Sequence, residues 1–142
     1  MTDVRTRIPR GLGRLALCGL VLSLAGSAAA MEASVANSVP VVVRTVPTSG
    51  DTEVDPALNE IRVTFSKPMS TKEMWSFVYA RPAAFPEITG PIRYVDDRTC
   101  VMPVRLAPGT TYGTWINSKG NDAFRDTAGR PAVPYLLLFE TR

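Results

Sequence analysis

The chain is 142 residues long, carries 16 lysines and arginines against 13 acidic residues, and contains no histidine. That length holds one ordinary domain, and the missing histidine excludes Ser-His-Asp and Cys-His nucleophiles and histidine-based zinc sites. The net charge of +3 belongs to residues 1–30, which hold four arginines and one aspartate and leave 12 basic and 12 acidic residues beyond them. No charge block therefore marks a nucleic-acid or anionic-membrane partner.

Residues 1–30 read as a secretory signal peptide. Arg5, Arg7, Arg10 and Arg14 form a basic n-region, residues 15–24 are apolar, and Ala28-Ala29-Ala30 supplies an A-x-A cleavage site before Met31. The uncharged run of residues 15–30 is shorter than the ~20 residues that span a bilayer. Cleavage and a secreted or periplasmic location are expected, and a membrane is a partner only if the segment is retained as an anchor. Cys18 is a poor lipidation site, because Leu17 precedes it and it sits in the middle of the apolar run. Beyond the signal one cysteine remains, Cys100, so no intrachain disulfide can form. Its place in Thr99-Cys100-Val101-Met102 predicts a buried, inert thiol, with intermolecular pairing as the alternative.

Residues 31–39 are small and polar and read as a flexible leader. The first strand is expected over 40–46, apolar but for Arg44 and Thr45, and the cluster Pro47-Thr48-Ser49-Gly50-Asp51 is a turn. Residues 54–58 make an irregular crossing. Then Ile61, Val63 and Phe65 alternate with Arg62, Thr64 and Ser66, a strand with one buried and one wet face. Lys67-Pro68-Met69-Ser70 ends it. A third strand is expected over 73–80, with Trp75, Phe77 and Tyr79 on one side.

Residues 82–91, with three prolines and Gly90, form a loop that carries a short edge pairing near Ile88. Residues 92–95 and 99–104 are two strands around an Asp96-Asp97-Arg98 turn, and Pro103 predicts an edge position for the second. Leu106-Ala107-Pro108-Gly109 is a corner, with Pro108 presetting φ and Gly109 taking the positive φ of a type II turn. It feeds a strand from Thr111 whose Tyr112 faces inward, its hydroxyl tied to upstream backbone. Residues 117–134 are a long polar connection. Residues 135–141 form a last strand, apolar from Tyr135 to Phe139, which predicts burial on both faces or a central place. About seven short strands without a helical period define an all-β, Ig-like antiparallel β-sandwich over 40–142.

The order of several of these pieces resembles an SbsA-type bacterial Ig-like domain. In the first half these are Pro47-x-x-Gly50, Val54 and Ile61-x-Val63-x-Phe65-Ser66-x-Pro68-Met69. In the second they are Leu106-Ala107-Pro108-Gly109-Thr110-Thr111-Tyr112, Asp126-x-x-Gly129-x-Pro131 and Phe139-Glu140-Thr141. The resemblance covers residues 40–142. It implies an extracytoplasmic, non-catalytic module for protein interaction or structural support at the cell envelope, with a protein or cell-surface polymer as partner. The chain departs from the family pattern in placing Arg130 where Asn is usual, and in presenting a single copy.

Motifs for chemistry are sparse. No phosphate loop or dinucleotide fingerprint occurs, so no cofactor is expected. The carboxylate pairs Asp96 with Asp97 and Asp122 with Asp126 sit among turn residues, where Asp caps backbone amides. Asn117, Asn121, Asp122 and Asp126 supply oxygens for calcium, but the spacing places Asp122 where an EF-hand loop needs Gly; no metal site is expected. The period of two turns Trp115 outward if Tyr112, Thr114 and Ile116 face the core. Trp115, Phe124 and Trp75 are thus the candidate contact residues for a partner protein or, as the alternative, a sugar ring. The competing reading places the Trp75 strand in the core and Trp115 under a loop.

Overall fold

The computed structural model describes residues 33–72 and 74–142. The expected signal segment and the first two leader residues lie outside the described residues. Eight strands occur among the described residues: β1 (Val42–Val46), β2 (Glu60–Phe65), β3 (Phe77–Tyr79), β4 (Glu87–Ile88), β5 (Arg93–Tyr94), β6 (Thr99–Arg105), β7 (Thr111–Ile116) and β8 (Tyr135–Glu140). They form one antiparallel sheet in the order β1-β2-β6-β4, with β5 also paired to β6, and a second in the order β3-β7-β8. Ile61, Val63 and Phe65 of β2 and Cys100, Met102 and Val104 of β6 meet Ile116, Leu137 and Phe139 of the smaller sheet in one core. Phe124 completes it from the connection between β7 and β8, tilted against Phe65 at 5.0 Å and edge-on to Phe77 at 5.2 Å. The fold is an all-β, Ig-like sandwich.

Four expectations need correction. β6 is central, not an edge, despite Pro103. It pairs with β2 on one side and with β4 and β5 on the other. The Val104 amide donates to Asn59 on the β2 side, and alternation along a strand points the Pro103 nitrogen the opposite way. There it faces Thr89 just past the end of β4; the Thr89 amide still donates to the Pro103 carbonyl at 3.0 Å, so that only the return bond is lost. The strand expected over 73–80 is only β3. Its partner β7 ends at Ile116; the Asn117 amide still donates to the Ser76 carbonyl at 3.0 Å, and the φ of 58° at Asn117 ends the ladder there. Tyr79, placed with the core aromatics, is exposed and stacks on Phe85.

β8 is neither buried on both faces nor central. Leu137 and Phe139 are buried while Leu136 and Leu138 are exposed at 37% and 40%. Its free edge is closed by the segment 49–54: Gly50 N–H donates to the Leu138 carbonyl at 2.6 Å, Glu140 N–H to Asp51 at 2.8 Å and Val54 N–H to Glu140 at 3.1 Å. The apolar run cannot reveal this, because an apolar side chain at every position from Tyr135 to Phe139 hides the period of two. Finally, the leader is not free at 36–38, where its carbonyls are hydrogen-bonded to Lys67 and Arg130.

Those two cations meet at Asp126, whose side chain is fully buried. Its Oδ1 accepts from the Ala128 and Arg130 amides, both at 2.9 Å. Its Oδ2 accepts from Arg130 Nε at 2.8 Å and pairs with Lys67 Nζ at 3.0 Å. Lys67 Nζ spends its other two donors on the Ala36 and Ser38 carbonyls. Arg130 Nη1 and Nη2 reach the Asn37 and Ala36 carbonyls, each at 2.6 Å. Burial pushes the Asp126 carboxyl up, but the Arg130 amide and the Lys67 and Arg130 side chains outweigh it and hold the pKa at about 2 against an ordinary 3.8. Asn117 organises the same connection from its other end, donating to the Phe124 and Ala132 carbonyls and accepting from the Phe124 amide.

Removing the carboxylate strands Lys67 as an unpaired buried cation. Asp126→Ala should therefore cost about 3–5 kcal/mol in a denaturant melt. A carboxyl whose pKa is lowered by folding stabilises fully above its unfolded value and loses that contribution as pH falls through its folded value. Asp126 accordingly predicts a melting temperature that drops between pH 3.8 and pH 2, with a smaller drop in Asp126→Asn measured by calorimetry.

Candidate functional site

Pro108 and Gly109, the latter at φ 59°, turn the chain after Leu106 so that Tyr112 enters the core at the start of β7. The Tyr112 hydroxyl accepts from the Ala107 amide at 2.8 Å, and its ring stacks on Phe139 with centroids 5.5 Å apart. Thr141 fastens the same corner, donating to the Ala107 carbonyl at 2.6 Å while its oxygen accepts from the Thr110 amide. This anchoring fixes the phase of β7. Tyr112, Thr114 and Ile116 are buried, and the period of two leaves Thr111, Gly113 and Trp115 on the outer face.

On that outer face Trp115 lies opposite Val78 of β3 and Leu136 of β8, and Gly113 lies opposite Leu138. Trp115 is half-buried. The chain beyond β3 folds back over Gly113, with the Ala84 amide bonded to the Thr111 carbonyl and the Gly113 amide to the Ala84 carbonyl. A Cβ at Gly113 would stand 2.9 Å from that of Ala83 and 3.2 Å from that of Ala80, so only glycine admits this close approach. The result is a groove of about 530 Å³ between Pro82 and Ala83 on one wall and Trp115, Leu136 and Leu138 on the floor and the other wall. Arg81 and Thr111 are its polar lining residues.

The three aromatics expected to act together do not meet. Phe124 has no exposed surface, and its contact role is corrected: the bonds from Asn117 draw its backbone inward, and the ring fills the space between Phe65 and Phe77. Trp75 packs against the core and lines a separate cleft with Thr71, Tyr94 and Asp97. Trp115 alone of the three belongs to the groove. Sequence reasoning missed Leu136 and Leu138; the signal was the strand pairing, since once β7 is phased by Tyr112 the antiparallel register assigns the outer face of β8.

The other candidates are engaged elsewhere. Asp96 Oδ1 accepts from the Arg98 and Thr99 amides, and the Arg98 amide leads in lowering its pKa. Asp97 lies 3.9 Å from Arg98. Asp122 pairs with Arg125 at 2.7 Å. The Asp96 and Asp126 carboxyls are both held below the ordinary value, the opposite of what a general acid needs. The oxygens considered for calcium are divided between the Asn117 amide network, the Arg125 pair and the Asp126 cluster. Cys100 is fully buried, and burial pushes its thiol up to about 12, which leaves it inert.

An antiparallel two-sheet sandwich with a buried tyrosine tying the corner before its strand is an Ig-like domain. The family model described as bacterial Ig-like domain matches residues 36–141. The chain belongs to this family, and the match begins inside the segment 36–38 that Lys67 and Arg130 hold. No curated protein matches the chain. Similar solved structures include the S-layer protein rSbsC(31-844) at TM-score 0.47, and the N-terminal part of the S-layer protein SbsC at 0.46. Both are 18% identical over 75% of this chain, which spans 14% and 24% of theirs respectively.

Because both alanine neighbours of Gly113 are rigid, Gly113→Ala should destabilise by about 1–3 kcal/mol through overpacking. The accompanying loss of protection at the Ala84 and Gly113 amides is readable by hydrogen exchange.

Proposed function

We propose that the protein is an exported, non-catalytic module of the SbsA type that makes protein contacts or gives structural support at the cell envelope. Its contact surface is the groove floored by Trp115. One observation carries this reading: Leu136 and Leu138 stand exposed beside Trp115 on the outer face of the smaller sheet, in a strand whose alternate residues fill the core. Contiguous apolar surface on a well-packed domain marks an interaction site. An indole with its flanking aliphatic side chains is the composition of an interface centre.

The groove favours a protein over a sugar. Sugar sites present several hydrogen-bonding side chains around a stacking ring, whereas here Arg81 and Thr111 alone are polar. Capture from an envelope fraction tests the reading. Immobilised wild-type protein should retain a protein partner, and Leu138→Lys, a change at an exposed position, should reduce that retention at least about tenfold with stability altered by less than about 1 kcal/mol. Equal retention by both proteins would sink the groove as the contact site, and binding on a glycan array lost in Trp115→Ala would shift the reading to carbohydrate.

A further inference from the structure

We infer that the occupant of the Trp115 groove is a second copy of this chain, docked face to face about a two-fold axis. The inference rests on reading the groove as a protein contact and adds the identity of the partner. It comes from the charges at the margins of the apolar strip. On the β3 side of β7 the groove is lined by Arg81, which makes no ion pair or side-chain hydrogen bond among the described residues. On the β8 side the groove runs past Thr111 and Leu138 into a hollow of about 200 Å³ lined by Asp51 and Glu140. Neither carboxylate meets a cation among the described residues. The Asp51 carboxylate accepts only the Glu53 amide.

A face that is positive on one side, apolar in the middle and negative on the other is complementary to itself after a half-turn. Arg81 of each copy then reaches the Asp51 and Glu140 pole of the other, and the leucines and Trp115 meet across the axis. This is the isologous pattern of a two-fold interface, in which one patch serves as both halves. A foreign partner would need the same distribution in reverse, which this chain already carries. Association by strand addition is closed at the β8 edge, because the segment 49–54 already occupies it.

Sedimentation velocity of the purified protein from micromolar to millimolar concentration tests the inference. The wild type should move from one-copy to two-copy mass as concentration rises. Arg81→Glu places like charges at both poles and should raise the dissociation constant roughly tenfold or more, given two symmetric pairs. Adding Glu140→Arg should bring it back to within about threefold of the wild type. Both side chains are exposed, and near-ultraviolet circular dichroism checks that each variant keeps the fold. One-copy mass throughout, or a charge swap that fails to restore association, overturns the inference. In that event, envelope capture still abolished by Leu138→Lys would keep the groove as a contact for a different protein, which separates failure of this inference from failure of the reading beneath it.

Discussion

The buried Asp126 carboxylate is the constraint on which the least regular part of the structure depends. Burying a charge costs several kcal/mol, offset here by four donors arranged around its two oxygens. Each donor comes from a piece that would otherwise have no fixed place. Lys67 closes the end of β2, Ala128 and Arg130 belong to the connection before β8, and both cations reach on to the carbonyls of residues 36–38. The long connection is thus not a loose loop. Asn117 at one end and Asp126 further along replace a strand ladder with side-chain bonds, and no buried side-chain nitrogen or oxygen among the described residues lacks a partner. Arg130 supplies three of these bonds through its guanidinium.

The smaller sheet illustrates how one anchored residue propagates outward. The hydroxyl of Tyr112 is tied to Ala107 and its ring lies against Phe139. That fixes which residues of β7 point inward, and antiparallel pairing passes the phase to β3 and β8. Trp115, Leu136 and Leu138 are then outside together by necessity. Gly113 lets residues 80–84 close one wall, and the same phase sets Arg81 and Glu140 on opposite sides of the apolar strip. The fold and the candidate site therefore share a cause. The tyrosine that holds the sandwich corner also exposes the surface it offers.

Much of this architecture can be read from the residues. The alternation of Ile61, Val63 and Phe65, the Pro108-Gly109 corner and the outward phase of Trp115 all follow from local sterics and a period of two, which need no knowledge of distant residues. The errors share a different origin. Pro103 is tolerated inside a central strand because it lies just past the end of β4, where only one ladder bond is lost. Trp75 leaves the ladder because the ladder ends at Asn117, whose amide makes the last bond, to the Ser76 carbonyl. Phe124, in a polar stretch with no periodicity, is drawn into the core by bonds from a residue seven positions earlier.

The sequence alone determined that this is a β-sandwich built around a tyrosine corner, because strand alternation and turn chemistry are set by residues close together in the chain. Only the tertiary structure decided which apolar residues of the last strand face water, that Arg130 and Lys67 converge on Asp126, and that Trp115 is joined by leucines instead of aromatics. Those outcomes depend on which strands lie side by side, on where each ladder ends, and on polar groups brought together from as far apart as residues 36 and 130. Such long-range pairings leave no local pattern in the sequence, and they decide which apolar side chains stand together on the outer face of the smaller sheet.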